Sequence, residues 1–512
     1  YSKTLTTSKM FPKKPIYICI VGLLTLTLGI ISSSFIFPKL EQYLIDKETA
    51  MIEGSKTFEM WKKPPFPFKL KVYFFNVTNA DRIEKNGEKP ELKEIGPYIY
   101  DEFRERDVLS IDDHNDTIRY IQRKVYLFNR DESGCRDDHD IVTILNFGVA
   151  TTAIKINNMA PIVLSLVNSG LPYLFPGLKS LFLTATVKDI LFDGLLISCE
   201  SENVDTICRV LKTQLPPTVR LADNNRDYLL SLFHHVNSTD DGPYDMNRGH
   251  QNTQTIKGNI IRYQDSDVLS QWNGDWCNRI HGTDLTLNPS SLSYYQNRQS
   301  INIFATDICR SLPVDFDKIE QILNFNVYQF KMKRTFGEVP NDRCFCPLDG
   351  ECPPLGTMDI EPCVDVPIII SQPHFFNADK TLFEYVNGLQ PIENKHNTFI
   401  TIEPRTGIAI SVKIRLQMNV HLVEIPEIDL LRNVNDGIFP FVWIEMGADL
   451  PTNMLKELEQ QFEKLKIFVI IKHILIIGGA ILIVIALVLA MITDKIACFR
   501  KITNNSIDNA EG

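Results

Sequence analysis

The chain has none of the short signatures that mark most hydrolases and nucleotide-dependent enzymes. It contains no G-x-S-x-G elbow, no H-E-x-x-H pair, no Walker phosphate loop and no G-x-G-x-x-G turn. Its only adjacent histidines, His234 and His235, lack the spacing that brings two rings onto one ion, and no paired C-x-x-C unit is present to build a zinc site. Basic residues are outnumbered as well. Against 63 Asp and Glu stand 53 Lys and Arg, a formal net charge of −10, which argues against a nucleic-acid partner. These absences point away from an enzyme and from any cofactor or metal.

Charge is missing altogether from two long runs, Ile16 to Phe37 and Ile474 to Ile492. At about 1.5 Å per residue, a helix of either length reaches across a bilayer core of roughly 30 Å. Lys3, Lys9, Lys13 and Lys14 precede the first run with no acidic residue among them, and Lys495, Arg500 and Lys501 follow the second. Such flanks stay cytoplasmic. The predicted organisation is a cytoplasmic tail (1–15), a membrane helix (16–37), an extracellular domain (38–467), a second membrane helix (468–492) and a cytoplasmic tail (493–512). Thr25, Gly29 and Ser33 lie four apart, a pattern that lets helices approach closely, either against the second span or in a homo-oligomer. Cys498 is a palmitoylation candidate. The last twenty residues contain no acidic dileucine, which favours the plasma membrane over the lysosome.

No Gly/Ser-rich linker divides the block between the spans, so one large domain is expected. Asn76, Asn115 and Asn237 open N-x-S/T sequons, which makes them glycosylation candidates. Of eleven cysteines, six cluster at Cys277, Cys309, Cys344, Cys346, Cys352 and Cys363. An even cluster in an oxidising compartment reads as disulfides. Cys199 and Cys208 bracket a short loop and form a further candidate bridge, leaving Cys135 unpaired.

The segment from Ile408 to Leu422 alternates strictly, with apolar residues at every even position and polar ones at every odd position after Ala409. Period two over this length predicts a strand with one buried face, about 50 Å long at full extension. A strand so long suits a barrel wall. In a barrel wide enough to enclose a cavity, Ile408, Ile410, Val412, Ile414, Leu416 and Met418 face the ligand. The preceding TFITIEPRTG predicts a hairpin turning at Pro404 to Gly407, and KLKVYFFNVTN from Lys69 predicts a further strand. Residues 156–178 carry no charge but contain Gly170, Pro172, Pro176 and Gly177, so two short helices joined by a Pro/Gly elbow are expected in place of a third span. They would form an apolar cap over about 150–190. Leu455, Leu458, Phe462 and Leu465 mark an amphipathic helix running into the second span.

The segments VYFFNVTN at Val72, KPELKEIGPYIYDEF at Lys89, LFDGLLISC at Leu191, CNRIHGTDL at Cys277, CFCP, CPPLGTMDIEPC and TFITIEPRTG together resemble the class B scavenger receptor, or fatty acid translocase, family. Within it the resemblance is greatest to the insect sensory neuron membrane protein branch, which the Cys199 and Cys208 pair suggests. The chain departs from the family in reading GTDL for GTDG and FVWIEM for FWIEE. The resemblance implies an α+β membrane protein: a large antiparallel β-barrel ectodomain with a hydrophobic tunnel and a helical apex, anchored by two terminal helices. It implies bridges from Cys277 to Cys344, Cys309 to Cys363 and Cys346 to Cys352, and it makes Lys179 the candidate contact for a fatty-acid carboxylate. It also implies a cell-surface receptor that passes fatty acids or fatty-acid-derived pheromones toward the membrane or an odorant receptor complex, with soluble carrier proteins or lipoproteins as further partners. The alternative within the family is a general scavenger of lipoproteins, lipids or apoptotic cells. The alternative of another class is an adhesion glycoprotein without a tunnel.

Overall fold

The structure, a computed structural model, describes residues 13–213, 215–250, 257–284, 300–347 and 351–508. Lys3 and Lys9 lie outside them. The chain divides into two compact units, one formed by the terminal segments through Glu48 and from Thr452, the other by Thr49–Pro451.

The larger unit is built on β-strands. The first three, β1 (Phe68–Val77), β2 (Leu92–Asp112) and β3 (Thr117–Phe128), form an antiparallel meander. Then β4 (Ile141–Leu145) and β5 (Phe182–Thr186) pair with each other on either side of the helices Phe147–Met159 and Leu164–Leu174. A small sheet follows, from β6 (Leu195–Ile197), β7 (Val219–Leu221) and β8 (Tyr228–Leu230). The chain then returns to the main sheet with β9 (Asp240–Asn247), β10 (Ile260–Tyr263), β11 (Ile301–Ala305), β12 (Arg310–Ile322) and β13 (Phe325–Lys331). The last strands are β14 (Thr357–Asp359), β15 (Ile369–Ser371), β16 (Phe399–Ile402), β17 (Ala409–Leu422) and β18 (Gly437–Asp449).

Thirteen strands make one nearly closed antiparallel barrel in the order β10-β9-β3-β2-β1-β18-β17-β16-β13-β12-β11, with β15 beside β17 and β14 beyond it. The first and last strands of the unit are neighbours in the middle of this order, in register from Lys69 opposite Gly447 to Phe74 opposite Val442.

The hairpin of β16 and β17 is fixed at its turn by Glu403, whose Oε2 accepts from the Thr406 N–H and Oγ1, each at 2.8 Å. Gly407 completes the turn at φ +76°, a left-handed conformation that favours glycine. One expectation for β17 needs correction. Its odd face is not solvated throughout: Arg415, Gln417 and Asn419 are buried, whereas Ser411 and Lys413 are half-buried and His421 is exposed. Strand β15 and the segment after it lie over them and supply partners, because polar groups taken out of water persist only when hydrogen-bonded. Gln417 Oε1 accepts the His374 N–H at 2.6 Å, Asn419 Nδ2 donates to the Ile369 carbonyl at 2.9 Å, and Arg415 Nη1 donates to the Asn397 carbonyl at 2.6 Å.

The apex helices also sit differently from the expected elbow. The first begins at Phe147, where the Asn146 side chain caps the Val149 N–H at 3.2 Å, and runs through Lys155. The break comes at Ala160, where Pro161 opens a 3₁₀ turn. Gly170 and Pro172 lie within the second helix.

Four disulfides staple the unit: Cys199–Cys208, Cys277–Cys344, Cys309–Cys363 and Cys346–Cys352. Cys135 is a free, exposed thiol.

In the terminal unit two helical stretches, Lys14–Glu48 and Thr452–Phe499, are long and apolar enough to cross a membrane. The first is interrupted by a π-helical turn at Ser32–Ile36. The second belongs to one continuous helix, Thr452–Asp508, whose opening turns carry buried Leu458 and Phe462. The two helices pack through small residues. A Cβ on Gly29 would stand 3.0 Å from Ile476 Cγ1, one on Gly22 2.9 Å from Ile483 Cγ1, and one on Gly479 2.6 Å from the Leu26 nitrogen. Gly29 therefore meets the second helix, with Gly22 in place of Thr25 and Ser33 as its main companion.

Candidate functional site

The larger unit encloses a cavity of about 540 Å³, within the range of roughly 300–1,000 Å³ common for small-molecule sites. One wall is the inner face of the barrel, with Leu416 and Met418 from β17 and Ile444 and Met446 from β18. The apex helix supplies Phe147, Gly148 and Thr151, and the small sheet supplies Ile197 and Leu230. Gly148 permits this closeness: a Cβ there would stand 2.4 Å from Leu230 Cδ2. The Cys309–Cys363 disulfide forms part of the boundary, so a covalent staple fixes the wall.

Of the residues singled out on the alternating segment, Leu416 and Met418 line the cavity, whereas Ile408, Ile410, Val412 and Ile414 do not. Ile408 precedes the strand, Ile410 and Val412 are buried, and Val412 and Ile414 pack with the main core. Only the later half of β17 borders open space. Lys179 is exposed beyond the second apex helix and is not among the lining residues.

Polar groups gather at another part of the wall. Lys124, His235, Asp240, Asp241, Tyr263 and Asp307 all border the cavity. Asp241 is well held, accepting from Tyr244 Oη at 2.5 Å, Tyr263 Oη at 3.0 Å and Gln122 Nε2 at 3.1 Å. Burial first, and the Asp241 charge second, push the Tyr263 phenol well above its ordinary value. Burial lowers the pKa of His235 and favours the neutral ring. Its Nδ1 is shut off from solvent and has no hydrogen-bond partner among the described residues. Neither Lys124 nor His235 was singled out as a ligand contact by sequence reasoning. The available signal was phase: in TIRYIQRKVYLF, Lys124 falls in step with Ile118, Tyr120, Gln122 and Tyr126.

A second cluster, Glu94 with His374 and His396, brings three potential ligand atoms within 4.8 Å of one another. It does not suit a metal. The Nδ1 of His374 accepts the Gln390 N–H at 3.0 Å and that of His396 accepts the Ile392 N–H at 2.9 Å. With Nδ1 accepting, each ring carries a hydrogen on Nε2, which in His374 is the atom 2.6 Å from Glu94 Oε2.

The apex exposes apolar side chains to an unusual degree. Ile162 is 92% exposed and Met159 71%, with Leu166 and Tyr173 also exposed. Contiguous apolar surface of this kind marks an interaction site. The three sequons differ in setting. Asn115 is in the exposed β2–β3 turn, with its Nδ2 2.7 Å from Asp112 Oδ2. Asn76 and Asn237 are half-buried and accept the backbone N–H groups of Thr143 and Tyr126 at 2.9 and 3.1 Å.

The sequence pattern of the CD36 family matches residues 20–490. The chain is similar to sensory neuron membrane protein 2 of Heliothis virescens, 35% identical over 458 residues that cover 87% of each chain. It is also similar to sensory neuron membrane protein 2 of Manduca sexta, 34% identical over 90% of this chain and 91% of that one. Sensory neuron membrane protein 1 of Apis mellifera is 31% identical over 91% of this chain and 89% of its own.

Proposed function

The chain belongs to the CD36 family, and from that premise we propose that it is a cell-surface receptor and transfer protein for long-chain acyl ligands. The observation that carries this reading is the cavity of about 540 Å³ between the apolar face of the barrel and the apex helix. An acyl chain leaving water is stabilised by about 0.8 kcal/mol per methylene, and the cavity offers that environment without covalent chemistry. The exposed apolar apex receives the ligand, the cavity holds it, and a passage through the barrel delivers it toward the bilayer. The similarity to sensory neuron membrane proteins extends the reading to fatty-acid-derived pheromones, an odorant receptor complex as acceptor, and soluble carriers as donors. Four disulfides support an extracellular location for the larger unit, and the basic flanks of the two apolar runs support cytoplasmic termini. Glycans on Asn76, Asn115 and Asn237 and an acyl group on Cys498 belong to the same proposal, with Asn115 the most accessible sequon.

The test is displacement of a fluorescent fatty acid from the full-length protein in lipid nanodiscs, with empty nanodiscs subtracted. Saturable binding displaced by long-chain aldehydes or acetates, together with antennal expression, supports the sensory reading. Gut or blood-cell expression with displacement by lipoprotein lipids supports the general scavenger. No saturable binding overturns both.

A further inference from the structure

Strand β3 buries Ile118, Tyr120, Gln122 and Tyr126 on one face, and Lys124 is in phase with them. A lysine on the inner side of a barrel is costly to leave without a counter-charge. Lys124 is half-buried and borders the cavity, and its ammonium has no hydrogen-bond or ion-pair partner among the described residues.

Most of the nearby acids are otherwise engaged. Lys124 stands opposite Arg104 in the β2–β3 register, and that arginine pairs with the buried Glu102, whose carboxyl is held below its usual value against burial by the charges of Arg104 first and Lys124 second. Asp241 is held by its three donors, Asp240 is paired with Arg123, and Asp307 is exposed to solvent. His235 borders the same cavity and feels the charge of Asp307 first and those of His234 and Lys124 after it, and among the described residues its buried Nδ1 has no partner. An ammonium without a direct hydrogen-bond or ion-pair partner among the described residues and an unpartnered imidazole nitrogen thus share one cavity, whose polar part also carries Asp240, Asp241 and Asp307 and whose other walls are apolar.

We propose that Lys124, with His235 beside it, is the head-group subsite of the cavity, and that it selects acyl chains ending in a free carboxylate over chains of equal length ending in an alcohol or acetate. The inference rests on the acyl-binding reading above. A tail in the apolar part of the cavity strips water from Lys124. A carboxylate then supplies a charge-assisted bond, whereas a neutral head leaves the ammonium desolvated and without a bonded counter-charge. His235, kept neutral by its surroundings, donates or accepts one further hydrogen bond. Selection therefore takes place inside the barrel, away from exposed Lys179.

The experiment uses the full-length protein on cells, labelled by a neutral probe, a hexadecanol carrying a diazirine and an alkyne. Hexadecanoic acid and hexadecyl acetate compete, and labelled peptides are identified by mass spectrometry. In the unaltered protein the label falls on cavity-lining peptides, and the acid competes at a concentration at least tenfold below the acetate. Lys124→Met brings the two competitors within twofold while neutral labelling persists, Lys124→Arg keeps the preference, and Lys179→Met changes nothing. If Lys124→Met reaches the surface poorly, Lys124→Gln is read in its place with the same expectation. A preference unchanged in the Met or Gln variant overturns the subsite and leaves the acyl-binding reading standing. No label on cavity peptides of the unaltered protein overturns both.

Discussion

His374 Nε2 lies 2.6 Å from Glu94 Oε2, and the same oxygen accepts the indole N–H of Trp443 at 2.8 Å. His374 in turn stacks on His396, with ring centroids 4.2 Å apart. Burial alone would raise the Glu94 carboxyl, but the hydrogen bonds from His374 and Trp443 outweigh it and hold the pKa below the usual value. Both rings have Nδ1 committed to backbone N–H groups, so adding a proton to His396 breaks its bond from the Ile392 N–H.

This arrangement adds to the acid sensitivity of the larger unit. Burial first, and neighbouring His374 second, lower the pKa of His396 from 6.5 to about 3. A group depressed on folding contributes its stability above its unfolded pKa, and the contribution is lost as pH falls toward the folded value. Thermal midpoints should therefore decline as pH drops from 6.5 toward 3, with Glu94 adding to the decline below 4.5. His396→Phe should flatten the slope between pH 6.5 and 4.5. An unchanged slope in that variant removes His396 from the account.

Arg415 and Glu445 form a buried pair, Nη2 to Oε2 at 2.6 Å, with Lys71 on the other carboxylate oxygen at 2.9 Å. Removing one member of such a pair strands the other, at a cost of roughly 3–5 kcal/mol. Glu445→Ala should lower the unfolding free energy by that amount in a denaturant titration, whereas Lys413→Ala, whose partner Asp449 is exposed, should cost under about 1 kcal/mol.

Filling the cavity separates binding from folding. Met418 borders open space, so Met418→Trp should be accommodated with little change in thermal midpoint while fatty-acid affinity falls at least tenfold. Ile410 is buried and does not line the cavity. Ile410→Ala should do the reverse, destabilising by about 2–5 kcal/mol with affinity retained. Equal effects of the two on binding would contradict the placement of the cavity.

The Cys309–Cys363 bridge spans 54 positions, and chain entropy assigns a loop of that length about 4 kcal/mol. Replacing both cysteines with serine should lower the denaturation midpoint accordingly and weaken acyl binding as well, because the bridge lies on the cavity wall. Replacing Cys346 and Cys352, which close a six-residue loop, should cost less stability.

The features legible in the sequence are those written in local periodicity or composition. The alternation from Ile408 to Leu422 identifies β17, the Pro404 to Gly407 turn joins it to β16, and the two uncharged runs identify the terminal helices. What stayed hidden depends on distant contacts. Arg415, Gln417 and Asn419 look solvated by type, and only β15 and the segment after it, which has no periodicity of its own, reveal that their face is covered. Arg119, Gln122, Arg123 and Lys124 obscure β3, and although Lys124 is in phase with Ile118, Tyr120, Gln122 and Tyr126, its place on the cavity wall emerges only from the assembled barrel. The apex break lies at Ala160 because proline is tolerated in the first turn of a helix, a distinction that a bare count of Pro and Gly misses.

The pairing of β1 with β18 has a consequence for biogenesis. Residues 68–77 emerge from the ribosome some 360 positions before their central partner exists, so one long edge of β1 stays without a mate throughout synthesis of the larger unit. Completion waits for the stretch just ahead of the second anchor. A ribosome stalled or a chain truncated anywhere before Gly437 leaves an open sheet with a bare edge, and the last strand to be made is the one that seals the wall.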